Sequence, residues 1–282
     1  MGVRLPHAFE RSPKLAKLLG EIDEIILPLI ESINVDDLSR YNAAYRGYGG
    51  HKFRHFVEDE KRRFLKALTV VMEDRATGLV CDLGCFIPYL PLALARLGYR
   101  TRIVDKYALF RERFRRAIYR LADSAGIEVF DLDILQDNFA PLQQNDVVLL
   151  MAVVEHLNGS PRHLMEKVRS IIAPGGFLIF EVPNIVELSK RLRMLLGRSP
   201  LVEYRAYLDS EYPFMGHNRE MTVAEVRHLL AATGFQAEWI DCYDYSLLDG
   251  HGAIPRLLRQ LKHWIPSRNL GESIMAKAQP VG

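Results

Sequence analysis

A chain of 282 residues can bury a sizeable core and suits one large domain with additions. A formal charge of +2 offers no electrostatic basis for a nucleic-acid partner, and 49% hydrophobic with 26% charged residues is the balance of a soluble globular protein. Three cysteines, Cys81, Cys85 and Cys242, make no disulfide framework, which points to a reducing cytoplasm. Along the chain, Met1 to Glu10 lacks the apolar run of a signal peptide. Residues 12–34 carry Leu15, Leu18, Leu19, Ile22, Ile25, Ile26, Leu29 and Ile30 at helical spacing. A tyrosine- and glycine-rich piece, Tyr41 to His51, forms no regular element, and helical spacing returns over 56–72.

From Gly78 onward, short apolar runs alternate with amphipathic ones. Strands are expected at 79–83, 101–105, 127–131, 145–151 and 176–182, with helices at 87–97, 108–123 and 160–172 between them. This alternation predicts a Rossmann-like, doubly wound, mostly parallel sheet of seven strands, with helices on both faces. Asp146 to Met151 is continuously apolar after its first residue, as a central parallel strand should be. Thr222 with Glu225 three residues on predicts a capping box at the start of a helix over 222–233. Runs 235–243 and 272–278 read as two closing strands. Residues 185–220 break the rhythm with a basic helical piece, Leu188 to Leu196, and an aromatic stretch, Tyr204 to Phe214. The basic amphipathic run Ile254 to Trp264 leaves peripheral contact with a membrane surface open, whereas no apolar run approaches the roughly twenty residues of a membrane span.

The chemistry is concentrated where strands end. Leu79 to Leu83 runs into Gly84 and Cys85, a helix-like segment follows, and Arg102-Ile103-Val104 ends in Asp105. In an open α/β sheet, ligands bind beyond the carboxyl ends of the strands, and an acid there can accept hydrogen bonds from ribose hydroxyls. The spacing therefore predicts a nucleoside-containing cofactor without choosing one.

Further residues narrow the choice: Asp133 just after the third strand, Val154-Glu155-His156-Leu157 after the fourth, and Ala173-Pro174-Gly175-Gly176 before the fifth. Taken with the first turn, these resemble the class I S-adenosylmethionine-dependent methyltransferases over about 75–280. The tail from Glu220 to Phe235 resembles members associated with polysaccharide and secondary-metabolite O-methylation. The resemblance implies S-adenosylmethionine as cofactor and S-adenosylhomocysteine as product. It implies that Asp82, Gly84, Cys85 and Phe86 form the turn beside the methionine part, with backbone amides approaching the ligand. Asp105, followed by Lys106, would bind the ribose; Asp133 would accept the adenine amino group, with Ile134 beside the ring. Met151 would sit beneath the cofactor. The chain departs from the family pattern at Phe86 and Pro88, which stand where further glycines are usual. A missing Cβ allows positive φ and close approach, so these two residues imply a reshaped loop or a degenerate site.

For transfer to a hydroxyl, a base is needed, and His156 and His217 are the candidates, with Glu155 in a structural or histidine-orienting part. Tyr45, Tyr48, Asn184 and Arg219 are candidate acceptor contacts. Residues 1–75 would form a helical cap or lid, 76–282 the catalytic domain, and 185–220 an insertion forming the acceptor pocket. The acceptor is expected to be a hydroxylated sugar, glycolipid or related metabolite. Two alternatives stand beside this: an N- or RNA methyltransferase, and a non-catalytic binding protein with a degenerate cofactor loop. Cys81 and Cys85 make only half a metal site, and no compact His/Asp/Glu cluster is visible in the spacing, so no metal is expected.

Overall fold

A computed structural model describes residues 13–31, 42–43, 50–245 and 269–281. Its elements are α1 (Pro13–Glu31), α2 (Gly50–Asp74), β1 (Leu79–Leu83), α3 (Tyr89–Arg96), β2 (Arg100–Asp105), α4 (Glu112–Ala125), β3 (Glu128–Asp131) and β4 (Asn145–Met151). There follow α5 (Arg162–Ser170), β5 (Ile172–Pro183), α6 (Leu188–Leu195), α7 (Tyr204–Leu208), α8 (Val223–Ala232), β6 (Phe235–Tyr243) and β7 (Ser273–Pro280). The seven strands form one sheet in the order β3-β2-β1-β4-β5-β7-β6. Neighbours from β3 through β5 are parallel, while β7 runs antiparallel to both β5 and β6. The order reverses between β1 and β4, which is where an open sheet leaves a crevice at its strand ends.

Alternation along the central strands divides the core in two. Val147, Leu149 and Met151 of β4 face a cluster with Ile22 and Ile26 of α1, Leu68 of α2, Leu92 of α3 and Ile118 of α4. Val148 and Leu150 face the other way, onto Leu164, Met165 and Val168 of α5 and Val226 and Leu230 of α8. Successive side chains of a strand point to opposite faces, so a continuous apolar run is what a doubly covered strand requires. Helix α4 meets its face with Phe114, Ile118 and Ala122, four residues apart, and stops at Gly126 in the left-handed conformation, φ 67°. Helix α8 opens with the expected reciprocal cap between Thr222 and Glu225.

Two departures from the sequence reading have local causes. Helix α2 starts at Gly50, several residues before the periodic pattern begins. Strand β5 begins at Ile172 and passes through the Pro-Gly-Gly run read as a turn: a register shift between Asn145 and Val147 of its partner, with Gly175 at φ 75°, lets the strand continue. The glycine-rich piece around Tyr45 and Tyr48 and the basic run 254–264 lie outside the described residues. Among the described residues no helix is long and apolar enough to cross a membrane.

Candidate functional site

A cavity of about 580 Å³ opens at the carboxyl ends of β1, β2 and β4. One end is built by the β1–α3 turn. Gly84 has φ 74°, and a Cβ there would come within 2.5 Å of Val153 Cγ2, so only glycine fits. Phe86 also adopts a left-handed conformation, φ 47°. The turn expected to need a second glycine keeps the glycine-like backbone with an aromatic residue in it. That conformation costs of order 1–3 kcal/mol in a non-glycine residue. Two contacts offset it: the Phe86 N–H donates to Asp105 Oδ2 at 2.7 Å, and its ring lies 5.4 Å from Phe110 and 5.9 Å from Phe114.

Asp105 ends β2 and lines the cavity. Its second oxygen accepts the Lys106 N–H at 2.7 Å, so two backbone donors pin the carboxylate in one orientation. Burial lifts its pKa to about 6 despite those two bonds. Asp82 lies beneath the turn, not on the cavity wall; burial raises it to about 7, against the opposing hydrogen bond from the Cys85 thiol. The expected approach of the turn's amides is not made by Gly84 and Cys85. Both donate to the Val104 carbonyl, at 2.8 and 3.2 Å. Asp133, with Ile134 beside it on the wall, binds Lys106 Nζ at 2.9 Å and accepts the N–H groups of Leu135 and Gln136. Burial works against its charge, but Lys106 and those N–H groups win and hold it below the ordinary carboxylate range. Met151 and Ala152, the latter at φ 53°, complete this end from β4.

The other end joins two distant parts of the chain. Val154–His156 form one turn of 3-10 helix just after β4. The N–H groups of Asn218 and Arg219 donate to the Glu155 carbonyl at 2.6 and 3.1 Å, and Asn218 Nδ2 donates to that of His156. These bonds bring His217 beside His156, with ring centroids 5.0 Å apart at 78°. His156 Nδ1 lies 3.1 Å from the Gly216 carbonyl oxygen, and His217 Nδ1 lies 2.9 Å from Glu220 Oε1. Both partners can only accept, so each ring carries its hydrogen on Nδ1. Burial, then the neighbouring His217, drives the His156 pKa down to about 4. Glu220 is in turn gripped by Lys190 of α6, and its charge is favoured by His217 and Lys190. Its signal in the sequence was only the three-residue spacing from His217.

Glu155 is fully buried, and no other described residue donates a hydrogen bond to either carboxylate oxygen. It therefore does not orient His156 by a hydrogen bond, as had been expected. Burial pushes its pKa up to about 7. The spacing showed no compact ligand cluster, yet the fold places one ligand atom each from Glu155, His156 and His217 within 4.8 Å of one another.

Two expected acceptor contacts are structural instead. Asn184 is fully buried; its Nδ2 donates to the Asn269 and Gly271 carbonyls and its Oδ1 accepts the Val186 N–H. Arg219 pairs with Glu225 at 2.6 Å, away from the cavity wall. Unforeseen in the sequence is Arg63 of α2, which lines the cavity and binds Glu181 of β5 at 2.9 Å, and Glu60 as well. Glu181 also accepts the hydroxyls of Tyr243 and Ser273.

The family described as "Methyltransferase domain" matches residues 51–238. No curated protein matches the chain. Among solved structures, an S-adenosylmethionine-dependent methyltransferase from Mesorhizobium loti is similar at TM-score 0.52 and 15% identity, covering 78% of this chain and 97% of that one. The magnesium protoporphyrin IX methyltransferase of Synechocystis PCC 6803, solved with S-adenosylhomocysteine, gives TM-score 0.50 and 17% identity over 78% and 83%. The small RNA methyltransferase HEN1 gives 0.51 and 17%, over 78% of this chain but 25% of its own. At these identities the likeness is one of fold.

Proposed function

This chain belongs to the methyltransferase family whose domain it matches over residues 51–238, in the class that uses S-adenosylmethionine, and on that premise we propose that it methylates a hydroxyl of a sugar, glycolipid or related small acceptor. One observation carries the reading: Asp105 and the His156–His217 pair line the same cavity. The donor set fits the cofactor. Asp105 offers a pinned carboxylate to ribose hydroxyls, Ile134 and Met151 offer apolar contact, and about 580 Å³ is in the range of a ligand site. Bound S-adenosylmethionine supplies an electrophilic methyl group on a sulfonium.

A neutral hydroxyl needs to lose its proton as it attacks. His217 is the base: Nδ1–H is held by Glu220, so Nε2 has the free lone pair, and the carboxylate stabilises the imidazolium that forms. His156, held neutral by burial, is the weaker base and lines the cavity beside His217. In this reading the segment before residue 76 caps the cavity, with Arg63 and Phe64 on its wall, and the insertion 185–220 contributes Pro213, Met215 and His217. The outer surface of that insertion leaves Leu195, Leu196, Tyr204 and Tyr212 more than 70% exposed.

His217→Ala is expected to lower kcat for transfer of labelled methyl to a hydroxylated acceptor by roughly 10²–10⁴-fold, the usual yield of a positioned base. S-adenosylhomocysteine affinity should stay unchanged. An amine acceptor needs no such base, so full turnover in His217→Ala would shift the reading to N-methylation.

A further inference from the structure

We propose that Glu155, His156 and His217 form a binding site for one divalent transition-metal cation of the zinc class. The inference rests on the hydroxyl-acceptor reading only for what the ion would do; its binding stands on the three side chains alone.

Two imidazoles and one carboxylate present ligand atoms within 4.8 Å of one another on the wall of an open cavity. Each imidazole already has its Nδ1–H committed to an oxygen acceptor, Gly216 carbonyl in one case and Glu220 carboxylate in the other. Metal-bound histidines are held in just this way, by an outer oxygen that fixes the tautomer and leaves Nε2 to the ion. The independent observation is Glu155. A fully buried carboxylate to which no other described residue donates is costly, and a cation beside it removes that cost. Three groups that all present lone pairs converge, and a cation satisfies all three together.

Charge nearby does not oppose this. Arg63 is a permanent cation that acts on Glu155, and its charge is answered by Glu60 and Glu181. Nitrogen ligands select zinc, cobalt, nickel or iron over magnesium, which prefers oxygen and retains its waters. Three protein ligands leave a coordination position facing the cavity, as catalytic rather than structural sites do. An acceptor hydroxyl bound there would lose its proton more readily, and His217 would then serve as ligand instead of base.

The test uses the full chain, stripped of metal with a chelator and titrated with Zn²⁺ by calorimetry and with Co²⁺ by visible absorption. The expected result is one ion per chain, with Co²⁺ bands typical of mixed nitrogen and oxygen ligands. Affinity should fall at least 100-fold in His217→Ala and in Glu155→Gln. Glu220→Gln, which removes only the outer partner, should cost 10–100-fold. His217 is partly exposed and Glu220→Gln is conservative, so both keep the test decisive should Glu155→Gln fail to fold. Absence of stoichiometric binding, or binding unchanged in His217→Ala, overturns the proposal. S-adenosylhomocysteine is titrated into the same samples. If it binds while Zn²⁺ does not, the metal site alone is refuted; if Zn²⁺ binds while it does not, the cofactor reading fails and the metal site stands.

Discussion

Asp105→Ala is expected to weaken binding of S-adenosylhomocysteine, measured by calorimetry, by two orders of magnitude or more. A carboxylate that accepts two ribose hydroxyls contributes two charge-assisted hydrogen bonds, each about 1.5–3 kcal/mol, and about 3 kcal/mol in all is already more than a hundredfold. The substitution also releases the N–H groups of Phe86 and Lys106, which adds loss of loop order to loss of contact. Asp105→Asn keeps the shape while removing the charge, and should fall between. A second consequence concerns pH. Burial sets Asp105 near 6 in the free protein, and only the ionised form accepts both hydroxyls. Affinity should therefore be flat above pH 7 and decline toward tenfold per pH unit below about 6. Affinity in Asp105→Ala should lack that decline; a wild-type affinity level from pH 5 to 8 would remove Asp105 from the ribose site.

Arg63→Met should destabilise the fold by about 3–5 kcal/mol, read from the midpoint of chemical denaturation. Arg63 and Glu181 are 8% and 0% exposed, and they join α2 to the end of β5 across 118 residues of chain. Removing the guanidinium strands a buried carboxylate whose remaining donors are the hydroxyls of Tyr243 and Ser273. Those donors hold the loss toward the lower end of the range. Glu181→Gln in the same chain should recover part of it, because the stranded charge is gone. A shift below about 1 kcal/mol would mean that the pair adds little beyond its own desolvation.

The two predictions differ in how their residues could be found. Asp105 was legible because it ends an apolar run about twenty residues after Gly84, a spacing set by one strand, one turn and one helix. The strands over 79–83 and 145–151 were legible for a related reason: burial on both faces demands runs that are mostly apolar, broken here only by Asp82 and by Asn145 and Asp146 at the start of β4. Arg63 was not, since a basic residue in a helix with many charges reads as a solvated face until its partner across the sheet is known. His156 and His217 were each found as candidates, but their meeting depends on main-chain bonds from Asn218 and Arg219 to Glu155, which leave no mark in residue type. Asn184 and Arg219 failed in the opposite sense. A polar side chain near a strand end advertises its hydrogen-bonding capacity, and here the chain itself takes up that capacity.

The left-handed conformation of Phe86 ties the fate of three positions together. A glycine there would relax the backbone but leave the rings of Phe110 and Phe114 without their third member. A smaller residue at 110 or 114 would leave Phe86 strained with less to hold it. Substitutions at 86, 110 and 114 are therefore non-additive, and a glycine-rich turn suits this chain only if the aromatic cluster is rebuilt in step.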